Sequence, residues 1–346
     1  MALTLDRKSI VTIFILLWSC ASRATSRTFH ESSIIAKQHE EWMALHGRAY
    51  ADNEEKIRRQ QIFKDNLEFI EKHNNEGNKS YRLSLNGYAD LTDEEFLASH
   101  TGNLVMPPAG SSKINNNFRY KNVNVSDIEP SLDWREKGAV NKIKNQGQCG
   151  SCWAFSSVAA IEGITQIKTG KLMSLSEQQL VDCAIPDGNG CGGYTMDKTF
   201  EYIEQSQGLA SEEDYPYMEQ DGTCRDDGMV NPAAKISGHE DVPHNSEEEL
   251  LKAVANQPVS VAIDAEGKAF RFYSQGVFNG ECGTSLNHAV TAIGYGEDDT
   301  NGAKYWLIRN SWGQRWGDEG YMKMQREAGT PEGLCGIALQ ASYPTL

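Results

Sequence analysis

Residues 146–155 read Gln-Gly-Gln-Cys-Gly-Ser-Cys-Trp-Ala-Phe, and this stretch limits the possible folds more than any other. Two small residues separate Cys149 from Cys152, and apolar residues at helical spacing follow: Trp153, Phe155, Val158 and Ile161. The pattern predicts a buried helix that begins near Cys152. Because a helix N-terminus presents unpaired N–H groups and a positive dipole end, it lowers the pKa of a thiol. We therefore predict a reactive thiolate at Cys152.

A Cys-x-x-Cys pair has two other common meanings, a redox dithiol and half of a zinc site. Zinc would require a second Cys or His pair at similar spacing, and the sequence contains none. A redox pair usually follows a strand in a βαβ pattern, whereas this pair follows the loop Lys142–Gln148. These features favour a nucleophilic thiol over both alternatives.

Cys-Gly-Ser-Cys-Trp resembles the known signature around the nucleophile of the papain family of cysteine proteases. The resemblance runs from about Glu31 to Pro344 and is stronger to plant members, of the senescence-associated, apoplastic or vacuolar type. It implies an α+β, papain-like two-lobe fold, with a helical left lobe, a β-barrel-like right lobe and an active-site cleft between them. It also implies that a helical inhibitory prosegment precedes this fold.

The N-terminus predicts a signal peptide. Arg7 and Lys8 precede the apolar run Ile10–Trp18, and small residues follow, with cleavage expected after Ala21 or Ala24. We assign residues 1–24 to the signal peptide, 25–128 to the inhibitory propeptide and 129–346 to the peptidase domain. The apolar run is too short to span a bilayer. We expect a soluble protein in the extracellular space (apoplast) or in a vacuole or lysosome-like compartment.

The net charge of −15 lies entirely in the last 218 residues, which hold 17 Lys+Arg and 32 Asp+Glu. Such a domain repels nucleic acid and anionic membranes, so neither is an expected partner. A simple solvated acidic surface explains the charge at least as well as adaptation to an acidic compartment does.

The prosegment is predicted from two amphipathic helices, Glu31–Gly47 and Glu54–Asn75. Six residues of the second match the interspersed motif of papain-family prosegments: Glu55, Arg59, Phe63, Asn66, Ile70 and Asn74. The next family motif appears as Ser84-x-Asn86-x-Tyr88-x-Asp90, with two conservative departures. Thr92 and Glu95 predict a capping box that opens a helix at Asp93.

The segment from His100 to Ile128 is rich in Pro, Gly, Ser and Asn and shows no periodicity, which is typical of a linker. By resemblance, it runs back along the substrate cleft and is cut near Ser126–Ser131. Asn78 and Asn124 begin Asn-x-Ser sequons and are candidate glycosylation sites.

The mature part reads as helical to roughly Asp241 and as strands after Pro258. Ser176 with Gln179, and Ser246 with Glu249, mark two helix starts. Alternating Val259, Val261 and Ile263 indicate a strand, and His288–Tyr295, Tyr305–Arg309 and Gly320–Met324 are further strand candidates.

A thiol protease requires a nucleophile, a base that also acts as an acid, a group that orients this base, and donors for the oxyanion. Only three histidines follow residue 128. His239 and His244 lie in an acidic, Pro-containing stretch and are expected to be solvated, which leaves His288 as the base for Cys152. Asn310 would orient His288, although it could also be a simple turn residue.

Two further residues complete the predicted chemistry. Gln146 and the backbone N–H of Cys152 would supply the oxyanion donors, and Trp312 would shield the His–Asn bond from water. No metal or organic cofactor is expected. A catalytically dead relative would be expected to lack Cys152, His288 or Asn310, and all three are present. A thiol–disulfide oxidoreductase using Cys149 and Cys152 is the remaining alternative.

Eight cysteines occur, and Cys20 would leave with the signal peptide. The odd number that remains suggests three bridges and one free thiol, but spacing does not fix the connectivity. The resemblance implies the pairs Cys149–Cys191, Cys183–Cys224 and Cys282–Cys335, with Cys152 free.

The resemblance also implies the substrate-binding residues. A pocket for the second residue before the cut (P2) is expected, with apolar walls that prefer Leu, Val or Phe: Thr195, Met196, Ala262, Leu286 and Ala289, with Gln340 at its base. Gln340 could instead turn to solvent. In Cys191-Gly192-Gly193-Tyr194, an ungapped alignment gives the substrate-pairing role to Tyr194, and a one-residue shift gives it to Gly193, which we expect.

The expected partners are polypeptide substrates, the chain's own propeptide as inhibitor, and cystatin-like protein inhibitors. The chain is expected to be a monomer.

Overall fold

The structure is a computed structural model that describes residues 33–102, 104, 118–186, 188–225 and 232–346. The predicted signal peptide and half of the linker that follows His100 lie outside the described residues. The chain divides into two compact units, Met1–Phe69 with Ala89–Leu91, and Ile70–Tyr88 with Thr92–Leu346. No helix in the described part of the chain is both long enough and apolar enough to cross a membrane.

The first unit contains helix α1 (residues 33–46) and most of helix α2 (Asn53–Asn75), so both predicted prosegment helices are confirmed. Phe63 of the interspersed motif is fully buried, and its ring centroid lies 5.5 Å from that of Trp42. Asn66 Nδ2 donates to the carbonyl of Ala89 at 2.8 Å. The motif residues of this unit therefore fill its core and bind its backbone.

The second unit begins with the remaining prosegment elements, strand β1 (Tyr81–Leu83) and helix α3 (Asp93–His100). Thr92 Oγ1 accepts from Glu95 N, and the Glu95 carboxylate accepts from Thr92 N, which confirms the predicted capping box. The helix ends at His100, as the loss of periodicity there suggests.

Nine strands of the described chain form one mixed sheet, in the order β1-β5-β8-β7-β6-β4-β9-β3, with β2 also paired to β6. All neighbours are antiparallel except β5 and β8. The strands that follow β1 are β2 (Leu132–Asp133), β3 (Gly238–Asp241), β4 (Val259–Ile263), β5 (Tyr273–Phe278), β6 (His288–Glu297), β7 (Lys304–Arg309), β8 (Tyr321–Gln325) and β9 (Ala341–Thr345).

Helices precede and interrupt this sheet, in agreement with the expected α+β class. They are α4 (Cys152–Thr169), α5 (Glu177–Cys183), α6 (Met196–Gln205), α7 (Glu247–Val254) and α8 (Lys268–Arg271). Ser176 and Ser246 cap α5 and α7 by accepting from Gln179 N and Glu249 N. Three disulfides join Cys149 to Cys191, Cys183 to Cys224 and Cys282 to Cys335, the pairs that the resemblance implied.

Helix α4 packs against the sheet and carries the site. Ser156 Oγ donates to the carbonyl of Val290 at 2.7 Å, and Ser260 Oγ donates to the carbonyl of Ser156 at 3.0 Å. All five residues of β4 are buried, because the strand is covered on both faces. The alternation of apolar residues in the sequence therefore identifies the strand, but neither face of the strand is exposed to solvent.

The expectation that His239 is solvated is wrong. It lies half-buried in β3, because α6 packs on that strand and brings the ring of Phe200 to 5.7 Å. His244 is exposed, as expected, and its Nδ1 lies within hydrogen-bond distance of the carbonyl of Leu339.

Candidate active site

Cys152 is the first residue of α4 and is fully buried. It is the free cysteine of the described chain, because Cys149 is bonded to Cys191. The alternative of a redox pair between Cys149 and Cys152 is therefore wrong. Gly150 lies between them with no room for a side chain, since a Cβ there would lie 2.4 Å from the carbonyl oxygen of Cys191.

His288 begins β6, and the structure brings it to Asn310 at the end of β7. The imidazole Nε2–H donates to Asn310 Oδ1 at 2.8 Å, and the backbone N–H of Ser311 donates to the same oxygen at 2.8 Å. The indole of Trp312 stacks on the imidazole, with ring centroids 4.5 Å apart and planes 24° apart. Both bonded side chains are buried, so water does not compete for this bond.

Gln146 is fully buried in the loop before α4. Ser311 Oγ donates to its Oε1 at 2.6 Å, which leaves Nε2 as a donor to the carbonyls of Cys149 (2.9 Å) and His100 (3.2 Å). Tyr217 OH donates to the Gln146 carbonyl at 2.8 Å. The sequence reasoning missed Ser311 and Tyr217. The position of Ser311 directly after Asn310 could have indicated that Ser311 belongs to the site. No sequence feature near Tyr217 indicates its contact with Gln146.

A prosegment segment that follows α3 occupies the cleft beside Cys152. Gly102 N–H donates to the carbonyl of Asn287 at 2.9 Å, and Trp312 Nε1–H donates to the carbonyl of His100 at 3.2 Å. A Cβ built on Gly102 would lie 3.5 Å from the sulfur of Cys152 and 2.9 Å from the carbonyl oxygen of Gly150. The prosegment backbone thus lies directly over the thiol.

Burial sets the electrostatics of this covered site. It raises the pKa of the Cys152 thiol to about 11, although nearby backbone groups, among them those of Ala289 and Gly102, oppose the shift. It lowers the pKa of His288 to about 4, against the effect of the bond to Asn310. Within the described residues, His288 Nδ1 has no hydrogen-bond partner. The predicted lowering of the thiol pKa is therefore wrong for this covered form, because desolvation outweighs the helix dipole.

The predicted P2 pocket is a buried apolar cluster. Leu104 of the prosegment is 7% exposed and belongs to the same cluster as the predicted wall residues Met196, Ala262, Leu286 and Ala289. Ala262 and Ala289 face each other across β4 and β6. Thr195 is buried and caps α6 by accepting from Lys198 N.

Gln340 does not turn to solvent. It is 5% exposed, and neither Oε1 nor Nε2 has a hydrogen-bond partner within the described residues. Its backbone carbonyl accepts from Ala262 N at 2.9 Å, so the backbone of Gln340, just before β9, is held against β4. A buried, unpaired amide is costly unless another group binds it.

The glycine loop brings Gly193 to the prosegment. Gly193 has φ +104° and its Cα lies 3.3 Å from the position of a Cβ on Gly102. Tyr194 instead packs against Trp153, with ring centroids 5.4 Å apart. This geometry favours the shifted register, in which Gly193 is the backbone that a substrate would meet.

Outside the cleft, one group of described residues has the donor types of a metal site. Ligand atoms of Asp197, His239 and Asp241 all lie within 4.8 Å of one another. Burial and the charge of Asp197 raise the pKa of Asp241 to about 6. The chemistry assigned to the cleft makes no use of this group.

Comparisons with known proteins agree with this geometry. Residues 128–345 match the model of the papain family cysteine protease, and residues 39–96 match the cathepsin propeptide inhibitor domain (I29). The senescence-specific cysteine protease SAG12 of Arabidopsis thaliana is 51% identical over 341 residues, which cover 97% of this chain and 98% of that protein.

Solved structures are similar as well. The recombinant stem bromelain precursor is 47% identical with a TM-score of 0.82, covering 90% of this chain and 99% of that one. The bromelain protease from Ananas comosus in complex with the E64 inhibitor is 51% identical with a TM-score of 0.61, covering 63% of this chain and 100% of that one.

The pairing of propeptide and protease domains assigns this chain to the secretory pathway. By its matched domains and its similarity over nearly its whole length, the chain belongs to the papain family of cysteine proteases and is a cysteine endopeptidase made as a zymogen.

Proposed function

We propose that Cys152, His288 and Asn310 perform peptide-bond hydrolysis in this protease, with Gln146 as an oxyanion donor and Trp312 as the shield of the His–Asn bond. The observation that carries the proposal is the bond from His288 Nε2 to Asn310 Oδ1 at 2.8 Å beneath Trp312. This bond orients the imidazole through Nε2 and leaves Nδ1 unpaired within the described residues, available to the thiol.

The mechanism starts once the prosegment has left. Cys152 transfers its proton to His288 Nδ1, and the thiolate attacks the peptide carbonyl to form a C–S bond. Gln146 Nε2–H and the Cys152 N–H donate to the oxyanion. Collapse breaks the C–N bond while His288 protonates the leaving amine. Water then attacks the thioester as His288 accepts its proton, the C–S bond breaks, and the acid product leaves.

The covered cleft supports the oxyanion role of Gln146. Its Nε2 already donates to a prosegment carbonyl, that of His100, at 3.2 Å. Ser311 orients the amide by donating to Oε1, so Nε2 faces the cleft before any substrate arrives. Preorganised donors of this kind stabilise an oxyanion without reorganisation.

The pocket around Met196 and Leu286 supports a preference for a hydrophobic P2 residue. In the zymogen a leucine of the chain itself, Leu104, belongs to this apolar cluster. In the prosegment, the residue beside the sulfur (Gly102) comes before the residue in the P2 pocket (Leu104). In a substrate the order is reversed, because the P2 residue comes before the peptide bond that is cut. The prosegment therefore runs opposite to a substrate, which protects it from cleavage there.

Maturation would separate the propeptide, residues 25–128, from the peptidase domain, residues 129–346, by a cut near Ser126–Ser131. The mature enzyme would act as a monomer in the apoplast or in a vacuole and would bind cystatin-like inhibitors. Asn78 and Asn124 would carry glycans before maturation only, since both precede the cut. Asn78 is exposed in a turn and Asn124 lies at the start of an exposed helical turn.

Two substitutions test the assignment. Cys152→Ser should abolish peptidase activity, because a hydroxyl is far less acidic than a thiol and forms no ion pair. Gln146→Ala should lower kcat by about 10²–10³, the usual effect of losing one oxyanion donor. Gln148→Ala is the matched control, since Gln148 is exposed in the same loop. Turnover at the unmodified rate in purified Cys152→Ser protein, or equal effects of the two Gln substitutions, would contradict the proposal.

A further inference from the structure

Besides the pairing of β1 with β5, a further prosegment contact lies outside the cleft. We propose that the mature domain carries a separate peptide-binding site, which holds residues 118–120 of the chain's own prosegment and stays able to bind that segment after it is cut. We call residues 118–120, Phe-Arg-Tyr, the strap, and the surface formed by Glu240, Gln257 and Tyr343 the strap site. The proposal rests on the cleavage near Ser126–Ser131 proposed above.

The two aromatic side chains of the strap, Phe118 and Tyr120, pack against the ring of Tyr343. Phe118 is 4% exposed, and its ring centroid lies 6.3 Å from that of Tyr343 in an edge-on arrangement. The Tyr120 ring lies 5.3 Å from the same ring. Tyr343 itself is fully buried in this form. A nearly complete burial of Phe118 is unusual for a linker residue and identifies it as an anchor.

Polar contacts fix the strap between these rings. The backbone N–H of Arg119 donates to Glu240 Oε2 at 3.0 Å, and its guanidinium pairs with Glu240 Oε1 at 3.3 Å. Tyr120 OH donates to Gln257 Oε1 at 3.0 Å. Each strap residue therefore has a specific partner on the mature domain.

The strap site is pre-oriented by the mature domain. Tyr343 OH donates to Glu240 Oε2 at 2.6 Å, and Gln257 Nε2 donates to the carbonyl of Pro344 at 2.9 Å. The first bond joins β9 to β3, and the second joins the turn after α7 to β9. Neither bond involves a prosegment atom. Removing the strap would leave the Gln257 Oε1 acceptor, the Glu240 carboxylate and the Tyr343 ring in place to take an aromatic–Arg–aromatic peptide.

The strap site differs from the cleft in its elements and its chemistry. The cleft lies at the start of α4 and β6 and binds prosegment backbone and Leu104, whereas the strap site binds two aromatic rings and Arg119. A prosegment that is also held at the strap site leaves more slowly than one held only in the cleft and at β5, because the added contact is effectively intramolecular. The strap would therefore delay activation and strengthen inhibition by released prosegment.

Peptide binding to the mature enzyme tests the site directly. The probe is a fluorescent peptide of residues 118–124, Phe-Arg-Tyr-Lys-Asn-Val-Asn, and the receptor is mature enzyme, processed from the full chain and alkylated at Cys152. We expect saturable binding that weakens about tenfold or more with Phe118→Ala and about three- to tenfold with Tyr120→Phe. Val123→Ala, outside the strap, should change the affinity less than about twofold.

Three outcomes would overturn the proposal. They are no binding, equal binding by all peptides, and loss of binding when a peptide-like inhibitor fills the whole cleft of the receptor. Because the receptor is alkylated, this assay does not depend on catalysis, so failure of the catalytic assignment appears separately as lost turnover. N-terminal sequencing of the mature chain adds a third check. A mature chain that begins before Phe118 keeps the strap attached and also overturns the proposal.

Full-length zymogens give the functional readout. The double variant Phe118→Ala/Tyr120→Ala should mature at least about fivefold faster than the unmodified chain, since it loses the contacts at the strap site. Val125→Ala is the control, because Val125 is exposed in the same segment and its substitution keeps the sequon at Asn124. Equal maturation rates for the double variant and the control would overturn the role of the strap.

Discussion

Removal of the prosegment should switch Cys152 and His288 from a neutral pair to an ion pair. In the zymogen the thiol pKa of about 11 lies above the ambient pH and the His288 pKa of about 4 lies below it, so both groups are neutral near pH 7. About one thiol in 10⁴ is then ionised. Burial is the main cause of both shifts, and Gly102 lies over the sulfur. Uncovering the site should let the dipole of α4 and the imidazolium lower the thiol pKa into the range of about 3.5–7.5 seen for paired cysteines.

The thiolate fraction near pH 7.5 should therefore rise from below about 10⁻³ in the zymogen to one half or more in the mature enzyme. Thiolate absorbance in the ultraviolet measures this fraction. The difference between the unmodified chain and Cys152→Ser, taken at the same stage of processing, cancels the contribution of tyrosines. The zymogen should show no such absorbance up to about pH 9, whereas the mature enzyme should show it already at about pH 7.5.

A substitution in the prosegment tests whether its position over Cys152 causes the low thiolate fraction of the zymogen. Gly102→Ala should raise the thiolate absorbance of the zymogen, because the added Cβ would lie 2.9 Å from the carbonyl oxygen of Gly150 and force the prosegment backbone away from the thiol. Gly77→Ala is the matched control, since a Cβ there meets nothing within 4 Å. One thiolate per molecule in the unprocessed, unmodified zymogen at pH 7 would refute the reasoning from burial.

The remaining predictions concern maturation, specificity and stability. The zymogen should process faster at pH 5 than at pH 7, because acid removes part of the carboxylate charge that helps to hold the prosegment on the peptidase domain; equal rates on gels would point to a protease acting in trans. Gln340→Glu should raise kcat/KM for substrates with Arg at P2 by about 10–100-fold, since a carboxylate would bind the guanidinium where the unpaired amide now lies. A fluorogenic series varying only P2 measures this, and a preference of the unmodified enzyme for Arg or Asp over Leu would contradict the pocket assignment. Ser246→Ala should lower the free energy of unfolding by about 1 kcal/mol, because α7 loses the cap bond to Glu249 N; an unchanged denaturation midpoint would contradict this.

Local patterns predicted most of the elements that build this protein. The apolar stripe after Cys152 predicted α4, the capping box at Thr92 predicted α3, and β-branched residues after Pro258 predicted β4. These predictions succeed because hydrogen bonding at a helix start and side-chain periodicity depend on residues a few positions apart. The family signature added the disulfide pairs, which spacing alone left open. The catalytic roles of His288 and Asn310 stay predictions, although the structure bonds them together.

The tertiary structure decided what depends on distant parts of the chain. The sequence placed Cys152 at a helix start and so predicted a lowered thiol pKa, but Gly102, Ala289 and the rest of the covered cleft remove water from the sulfur and reverse the shift. His239 is half-buried because α6 packs on β3. Gln340 is enclosed because β9 lies against β4. Sequence determines which groups can ionise and which segments can form helices and strands. Desolvation is set by neighbours brought together only on folding, so the protonation state of these groups in the covered site is decided by the fold.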